Sequence, residues 1–149
     1  MRLLIQRVQN AAVHIAGKRV AHIGKGLLIF VGVGYEDNEK DVEMLAKKAC
    51  ALRIFDDENG VMNRSLSDIS GEMLAVSQFT LMASAKKGNR PSYIQAAKPD
   101  ISKPLYEQFC KQTSVILGKE TQRGIFGADM QVSLTNDGPV TIWLDSKEL

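Results

Sequence analysis

A chain of 149 residues, 44% hydrophobic and 24% charged, has the make-up of one ordinary globular domain and excludes a disordered polymer. Its net charge of only +2 excludes a histone-like protein that coats DNA, so any nucleic-acid contact must come from local clusters and be sensitive to salt. No apolar run approaches the length of a membrane span, and Met1–Arg7 carries no long apolar segment of the leader type, so the expected location is the cytoplasm.

Arg2 to Val8, Ala11 to Ala16 and Arg19 to Ile23 read as short strands, parted by turn signals at Gln9-Asn10 and Gly17-Lys18. Gly24-Lys25-Gly26 leads into Leu27–Val31, a continuous apolar run of the kind a strand covered on both faces carries. Gly32-Val33-Gly34 is no dinucleotide fingerprint, because the third glycine of that pattern would fall at Asp37. Asn38 is placed to cap a helix, with Glu39 and Asp41 in its first turn and Val42, Leu45, Ala46, Ala49 and Leu52 at helical spacing. Arg53 to Asp56 reads as a brief strand, returned by the type I′ hairpin dipeptide Asn59-Gly60 through Val61-Met62-Asn63.

Glu72 to Thr80 changes character along its length. It begins as a buried strand and ends with Ser77, Gln78 and Thr80, three hydrogen-bonding side chains at a strand's carboxyl end, where α/β sheets place ligands. After Leu81 the periodicity disappears for about twenty residues, far beyond an ordinary connection. That stretch holds Lys86, Lys87 and Arg90 around Gly88-Asn89, followed by Pro91. On charge alone these cations read equally well as a solvated loop or as a phosphate site. Pro104 suits the first turn of a second helix, with Ser102 as its cap, a stripe of Leu105, Phe109, Cys110, Thr113 and Ile116 or Leu117, and Gly118 as its stop. Lys119 to Arg123 reads as a strand, and Gly124-Ile125-Phe126-Gly127 as a reversal. The strands Ala128 to Leu134 and Val140 to Leu144 follow, with Asn136-Asp137-Gly138-Pro139 as the turn between them. The sum is an α/β fold: a single β-rich domain over residues 1–149, with mixed sheet and two main helices.

The usual chemistries find little footing. His14 and His22 lie on adjacent strands with no acidic neighbour, and Ser77 lacks the G-x-S-x-G elbow of hydrolases. Asp56-Asp57-Glu58 reads as an exposed turn, without the spaced ligands of a calcium loop. Cys50 and Cys110 read as small buried hydrophobes, because neither belongs to a metal or redox motif. A site poor in acids and bases still hydrolyses an activated ester if it positions the ester and offers backbone N–H groups to the oxyanion. The amides of Phe79 and Thr80 are the candidates, with the Thr80 hydroxyl as a positioning group.

Ser77-Gln78-Phe79-Thr80, Gly88-Asn89-Arg90-Pro91-Ser92, Phe126-Gly127-Ala128-Asp129-Met130 and Asn136-Asp137-Gly138-Pro139-Val140-Thr141 together resemble the D-aminoacyl-tRNA deacylases. The likeness runs from Ile5-Gln6-Arg7-Val8 to Leu144-Asp145, in matching order and spacing. Two departures are Met82, where many relatives have an aromatic residue and where the pocket rim is expected, and Thr135, where valine is common.

The resemblance implies a homodimer that cleaves the ester between a D-amino acid and the terminal adenosine of tRNA, without metal or organic cofactor and without a membrane. Ser77, Gln78, Phe79 and Thr80 would line the catalytic pocket. Gly138-Pro139, with a cis peptide bond, would enter the partner's site and reject L substrates by collision. The ribose 2′-hydroxyl would assist the chemistry, glycyl-tRNA would be a further substrate, and Lys86, Lys87 and Arg90 would hold phosphates of the acceptor end. The rival from the same residues is a non-catalytic nucleic-acid-binding dimer, with a structural dimer module a third.

Overall fold

The computed structural model describes residues 1–149. It is a mixed sheet, curled towards a barrel, with both helices packed on one side. β1 (Arg2–Ile15) is its spine. One edge of β1 is shared between two antiparallel neighbours, β3 (Gly26–Gly32) along Arg2–Val8 and β2 (Lys18–Ile23) along Ala11–Ile15. The other edge carries β8 (Gln131–Asp145), antiparallel from Arg2 to His14. β6 (Glu72–Ser77) runs parallel to β3, and β7 (Gln122–Arg123) parallel to β6, giving the order β2-β1-β3-β6-β7 with β8 off β1.

Two expected turns prove to lie inside strands. Gln9-Asn10 does not break β1, because Asn10 pairs with Thr135 of β8 and the strand only shifts register there. Asn136–Pro139 does not end a strand either. Val8 faces Asn136 while Gln6 faces Thr141, so the segment from Asp137 to Val140 bulges out opposite Arg7 and pairing then resumes. Within this excursion the Gly138-Pro139 bond is cis. A pairing partner as long as β1 outweighs a local preference for turning.

The sheet's two faces explain the continuous apolar runs of β3 and β6. Leu27, Ile29, Val31, Met73 and Ala75 face the helices, with Val42, Leu45, Ala46, Ala49, Leu105 and Phe109 against them. Leu28, Leu74 and Val76 face inward to Val8, Val13, Ala21 and Ile23. Neither helix is long and apolar enough to cross a membrane.

α1 (Glu39–Ala51) starts as the sequence indicates: the Asn38 side chain accepts from the Lys40 N–H at 3.0 Å and the Asp41 carboxylate from the Asn38 N–H at 2.9 Å. α2 (Pro99–Leu117) begins earlier than expected, with Pro99 in its first turn. Pro104 therefore sits inside the helix, and Ser102 is no cap; its hydroxyl donates to the Lys98 carbonyl at 3.0 Å. Gly118 ends α2 in the left-handed conformation. Of the alternatives for the last stripe position, Leu117 packs against the core and Ile116 is exposed. Between Lys119 and Arg123 only Gln122–Arg123 pairs as strand.

The small hairpin of β4 (Phe55–Asp56) and β5 (Met62–Arg64) turns differently from the I′ expectation. Only Gly60 has positive φ, and its N–H closes a turn onto the Asp57 carbonyl at 3.0 Å. The Asp57 carboxylate accepts from the Asn59 and Val61 N–H groups, which favours the longer loop. Cys50 and Cys110 are buried free thiols, pushed up by burial to about 12 and about 11, so they stay unreactive.

Candidate active site

The site forms where β3 and β6 end. β6 gives way after Ser77, and a 3₁₀ turn over Phe79–Met82 follows at once. That turn closes with the Leu81 N–H on the Gln78 carbonyl at 3.2 Å, which leaves the N–H groups of Phe79 and Thr80 without an acceptor inside it. Gly32 makes the tight turn possible: a Cβ there would meet Leu81 Cβ at 2.8 Å and the Gln78 carbonyl oxygen at 3.1 Å. The Gln78 N–H is itself spent on the Val31 carbonyl at 2.8 Å, so it is not available to a ligand.

Beside the turn lies a cavity of about 570 Å³, a size ordinary for a small-molecule site. Ser77, Gln78 and Phe79 line one wall, Val31, Val33 and Val76 the floor, and Pro99, Ser102 and Tyr106 of α2 another wall. The fourth side is Phe126-Gly127-Ala128-Asp129-Met130, which the sequence marked as a motif without placing it here. The Tyr106 hydroxyl donates to the Ala75 carbonyl at 3.0 Å and ties α2 to β6; burial pushes its ionisation far upward, so it stays a neutral donor. Asp129, at the mouth, is the one carboxylate in this lining.

Thr80 stands outside the lining, and its hydroxyl oxygen accepts from the Gln78 amide. His14 and His22 lie on β1 and β2 and reach no wall of this chain's cavity. Met82 is buried against Gly34 and misses the cavity as well, which corrects its expected place at the rim. Lys86, Lys87 and Arg90 are exposed on the loop after the 3₁₀ turn; none forms an ion pair, and none lines the cavity.

Gly138 and Pro139 are exposed and also lie outside this chain's cavity. Arg7, below them, pairs with Leu27 at the amino end of β3, whereas the cavity opens beyond Val31, roughly 13 Å further along the strand. Arg7 is only 7% exposed. Its guanidinium donates to the Ile54 carbonyl at 2.7 Å and the Asp137 carbonyl at 3.1 Å, and lies 3.3 Å from Asp56 and 3.4 Å from Asp137 carboxylate oxygens. The Asn136 amide donates to the Val140 carbonyl at 3.1 Å and spans the neck of the excursion. Arg7 escaped the sequence reading although a signal existed. Leu3, Ile5 and Arg7 occupy the same row of an alternating strand, so the cation stands in a buried register.

A family model described as D-Tyr-tRNA(Tyr) deacylase matches residues 4–145. The D-aminoacyl-tRNA deacylase of Bacteroides thetaiotaomicron is 60% identical over 147 residues, covering 99% of this chain and 98% of the relative. That of Flavobacterium psychrophilum is 59% identical over 147 residues, with the same coverage. Among solved structures, a c-Myc DNA unwinding element binding protein aligns at 37% identity with a TM-score of 0.92, covering 97% of this chain and 98% of that one. A probable eukaryotic D-amino acid tRNA deacylase shares the fold at 17% identity, with a TM-score of 0.84 over 96% and 97% of the two chains. With nearly its whole length matched by the family model and by relatives of this identity, the chain belongs to the D-Tyr-tRNA(Tyr) deacylase family.

Proposed function

We propose that this chain hydrolyses the ester of D-aminoacyl-tRNA, releasing tRNA and the free D-amino acid. The observation that carries the reading is the cavity walled by Ser77, Gln78 and Phe79, in a chain 60% identical to a D-aminoacyl-tRNA deacylase. Its walls offer positioning and hydrogen-bond donors but no nucleophile with a base beside it. In this mechanism water adds to the ester carbonyl carbon and the N–H group of Phe79, whose residue lines the cavity, receives the developing oxyanion. The terminal ribose 2′-hydroxyl relays the water's proton to the 3′ oxygen, which leaves as the carbon–oxygen bond breaks. Thr80 holds Gln78 in place and takes no part as nucleophile.

The active unit in this proposal is a homodimer. Gly138 and Pro139 are exposed and remote from their own cavity, so they serve only by entering another chain's cavity. There the main chain of the excursion meets an L side chain and rejects it, while a D side chain points elsewhere and glycine, with none, is admitted. The cations Lys86, Lys87 and Arg90 hold phosphates of the acceptor end.

The second reading is a nucleic-acid-binding protein without turnover, and the 37% identical structure named for a DNA element favours it. Matched D- and L-tyrosyl-tRNA separate the two. Rapid release of D-tyrosine alone supports the deacylase. Tight binding of both esters with no release would replace it with the second reading.

A further inference from the structure

Phe79 belongs to the cavity wall yet is 57% exposed, because its ring stands at the rim. Against it lies Tyr93, 40% exposed, with ring centroids 5.1 Å apart and planes at 69°. Next along the chain is Ile94, 85% exposed. An edge-to-face pair occupies a single ring face, so the other faces stay open to a planar partner.

This patch is held firmly. Ser84 and Ser92 exchange backbone hydrogen bonds of 2.9 and 2.8 Å and close the basic loop at its base. The Ala96 N–H donates to the Tyr93 carbonyl at 2.9 Å, and the Ala97 N–H to the Val33 carbonyl at 2.9 Å, which fixes the segment to the end of β3. The loop that Ser84 and Ser92 close off carries Lys86, Lys87 and Arg90, exposed and with no acidic residue among them. Open aromatic faces beside unpaired cations, continuous with a cavity of small-molecule size, form the combination that binds single-stranded nucleic acid by stacking and phosphate contact.

We infer that Tyr93, with Ile94 at its side, is a stacking platform for the unpaired base that precedes the terminal adenosine of the substrate's 3′ end. This rests on the deacylase reading for the terminal nucleoside's place in the cavity. The platform lies outside the lining, so it touches neither the ester nor the terminal nucleoside. Its contribution is to the binding of a longer substrate.

The test compares D-tyrosyl-tRNA with D-tyrosyl-adenosine in wild type, Tyr93→Ala, Tyr93→Phe and Ile94→Ala. Tyr93→Ala should raise KM for the tRNA ester about tenfold, leave kcat unchanged, and leave hydrolysis of the adenosine ester unchanged. Tyr93→Phe should restore the wild-type KM, and Ile94→Ala should raise it less than Tyr93→Ala does. Equal losses on both substrates would mean that Tyr93 only props Phe79, and no loss on either would mean that nothing stacks there; each overturns the inference. A stem-loop RNA with 2-aminopurine in the position before the terminal adenosine gives an independent readout. Its fluorescence should be quenched by wild type and Tyr93→Phe but not by Tyr93→Ala. If wild type cleaves neither ester, the deacylase reading falls while this quenching still decides the platform. A drop in oligomeric mass in Tyr93→Ala or Ile94→Ala would assign the patch to a second copy of the chain and overturn the inference.

Discussion

β8 is secured by two buried polar clusters made from opposite charges. At its carboxyl end Asp37 and Asp41 gather cations and a hydroxyl: the Met1 ammonium lies 2.5 Å from Asp37, Ser146 donates to Asp41 at 2.7 Å, and Lys147 to Asp41 at 3.0 Å. At the excursion the arrangement is reversed, with one buried cation, Arg7, surrounded by carbonyls and carboxylates. The first cluster closes the fold, joining the start of α1 to the segment after β8. The second sets the path of backbone that protrudes from the surface. Carboxylates lose their charge in acid, whereas the Ile54 and Asp137 carbonyls that accept from Arg7 have none to lose. The closure is therefore acid-sensitive by construction, and the bracing of the excursion much less so.

Removing Arg7 should give the largest effect. Arg7→Ala leaves the Ile54 and Asp137 carbonyls without their donor and empties the space between them, at about 3–5 kcal/mol of stability, read as a lower urea midpoint. D/L discrimination in the folded fraction should fall as well, because the excursion loses its anchor. Arg7→Lys keeps the charge but has no planar fork to reach two carbonyls, so it should recover stability better than discrimination. Recovery of both would show that charge alone braces the loop.

Gly138→Ala attacks the same excursion from its backbone. Gly138 has φ of +130°, and a Cβ would approach Val140 Cγ2 to 2.8 Å and the Arg7 guanidinium to 3.2 Å. The expected cost is about 2–3 kcal/mol. Hydrogen exchange should locate the loosening around residues 136–140 and leave α1 and α2 protected. Loosening of the helices instead would break the distinction between the two clusters.

The Gly138 excursion also marks the limit of what the sequence revealed. Both helices, β3 and β6 are legible because the helices' apolar periodicity and the strands' continuous apolar runs are local. β1 and β8 were misread because Gln9-Asn10 and Asn136–Pro139 favour turns locally, while the strand opposite, far away in sequence, keeps the chain paired. Pro104 misled for a similar reason: packing of Leu105, Tyr106 and Phe109 carries α2 through a residue that usually begins a helix. In the site, Ser77, Gln78 and Thr80 are legible as a polar strand end, of which Ser77 and Gln78 line the cavity and Thr80 does not. The wall from Phe126 to Met130 is not legible, since only tertiary packing brings it across from β6.

The acidic cluster should show in a pH series. Burial tends to raise the Asp41 carboxyl, yet donation by the Ser146 hydroxyl, the Asn38 N–H and Lys147 outweighs it and holds Asp41 near 2, below its ordinary 3.8. A group depressed on folding adds stability that is complete above its unfolded pKa and lost as pH falls through the folded one, here between about pH 4 and pH 2. Asp41→Asn should cost about 2 kcal/mol at neutral pH, and the gap from wild type should close below about pH 2. Deacylation should be unaffected while both proteins are folded. A gap that persists unchanged into acid would mean that Asp41 acts through hydrogen bonds its amide cannot replace, and not through charge.

Lys86, Lys87 and Arg90 sharpen the contrast from the other side, because they are cations in water with no partner to lose. Each single change to alanine should leave the urea midpoint unchanged and raise KM for D-tyrosyl-tRNA only about two- to threefold at moderate salt, with kcat unaltered. Their shared signature lies in the ionic strength. A contact with a single-stranded phosphate contributes roughly 0.7 to the slope of log affinity against log salt, so the triple variant should flatten that slope by about two units. The single-variant effects should vanish at high salt, where released counterions no longer favour binding. An unchanged slope would detach these cations from the RNA and leave them as a solvated loop, the other reading their charge allows.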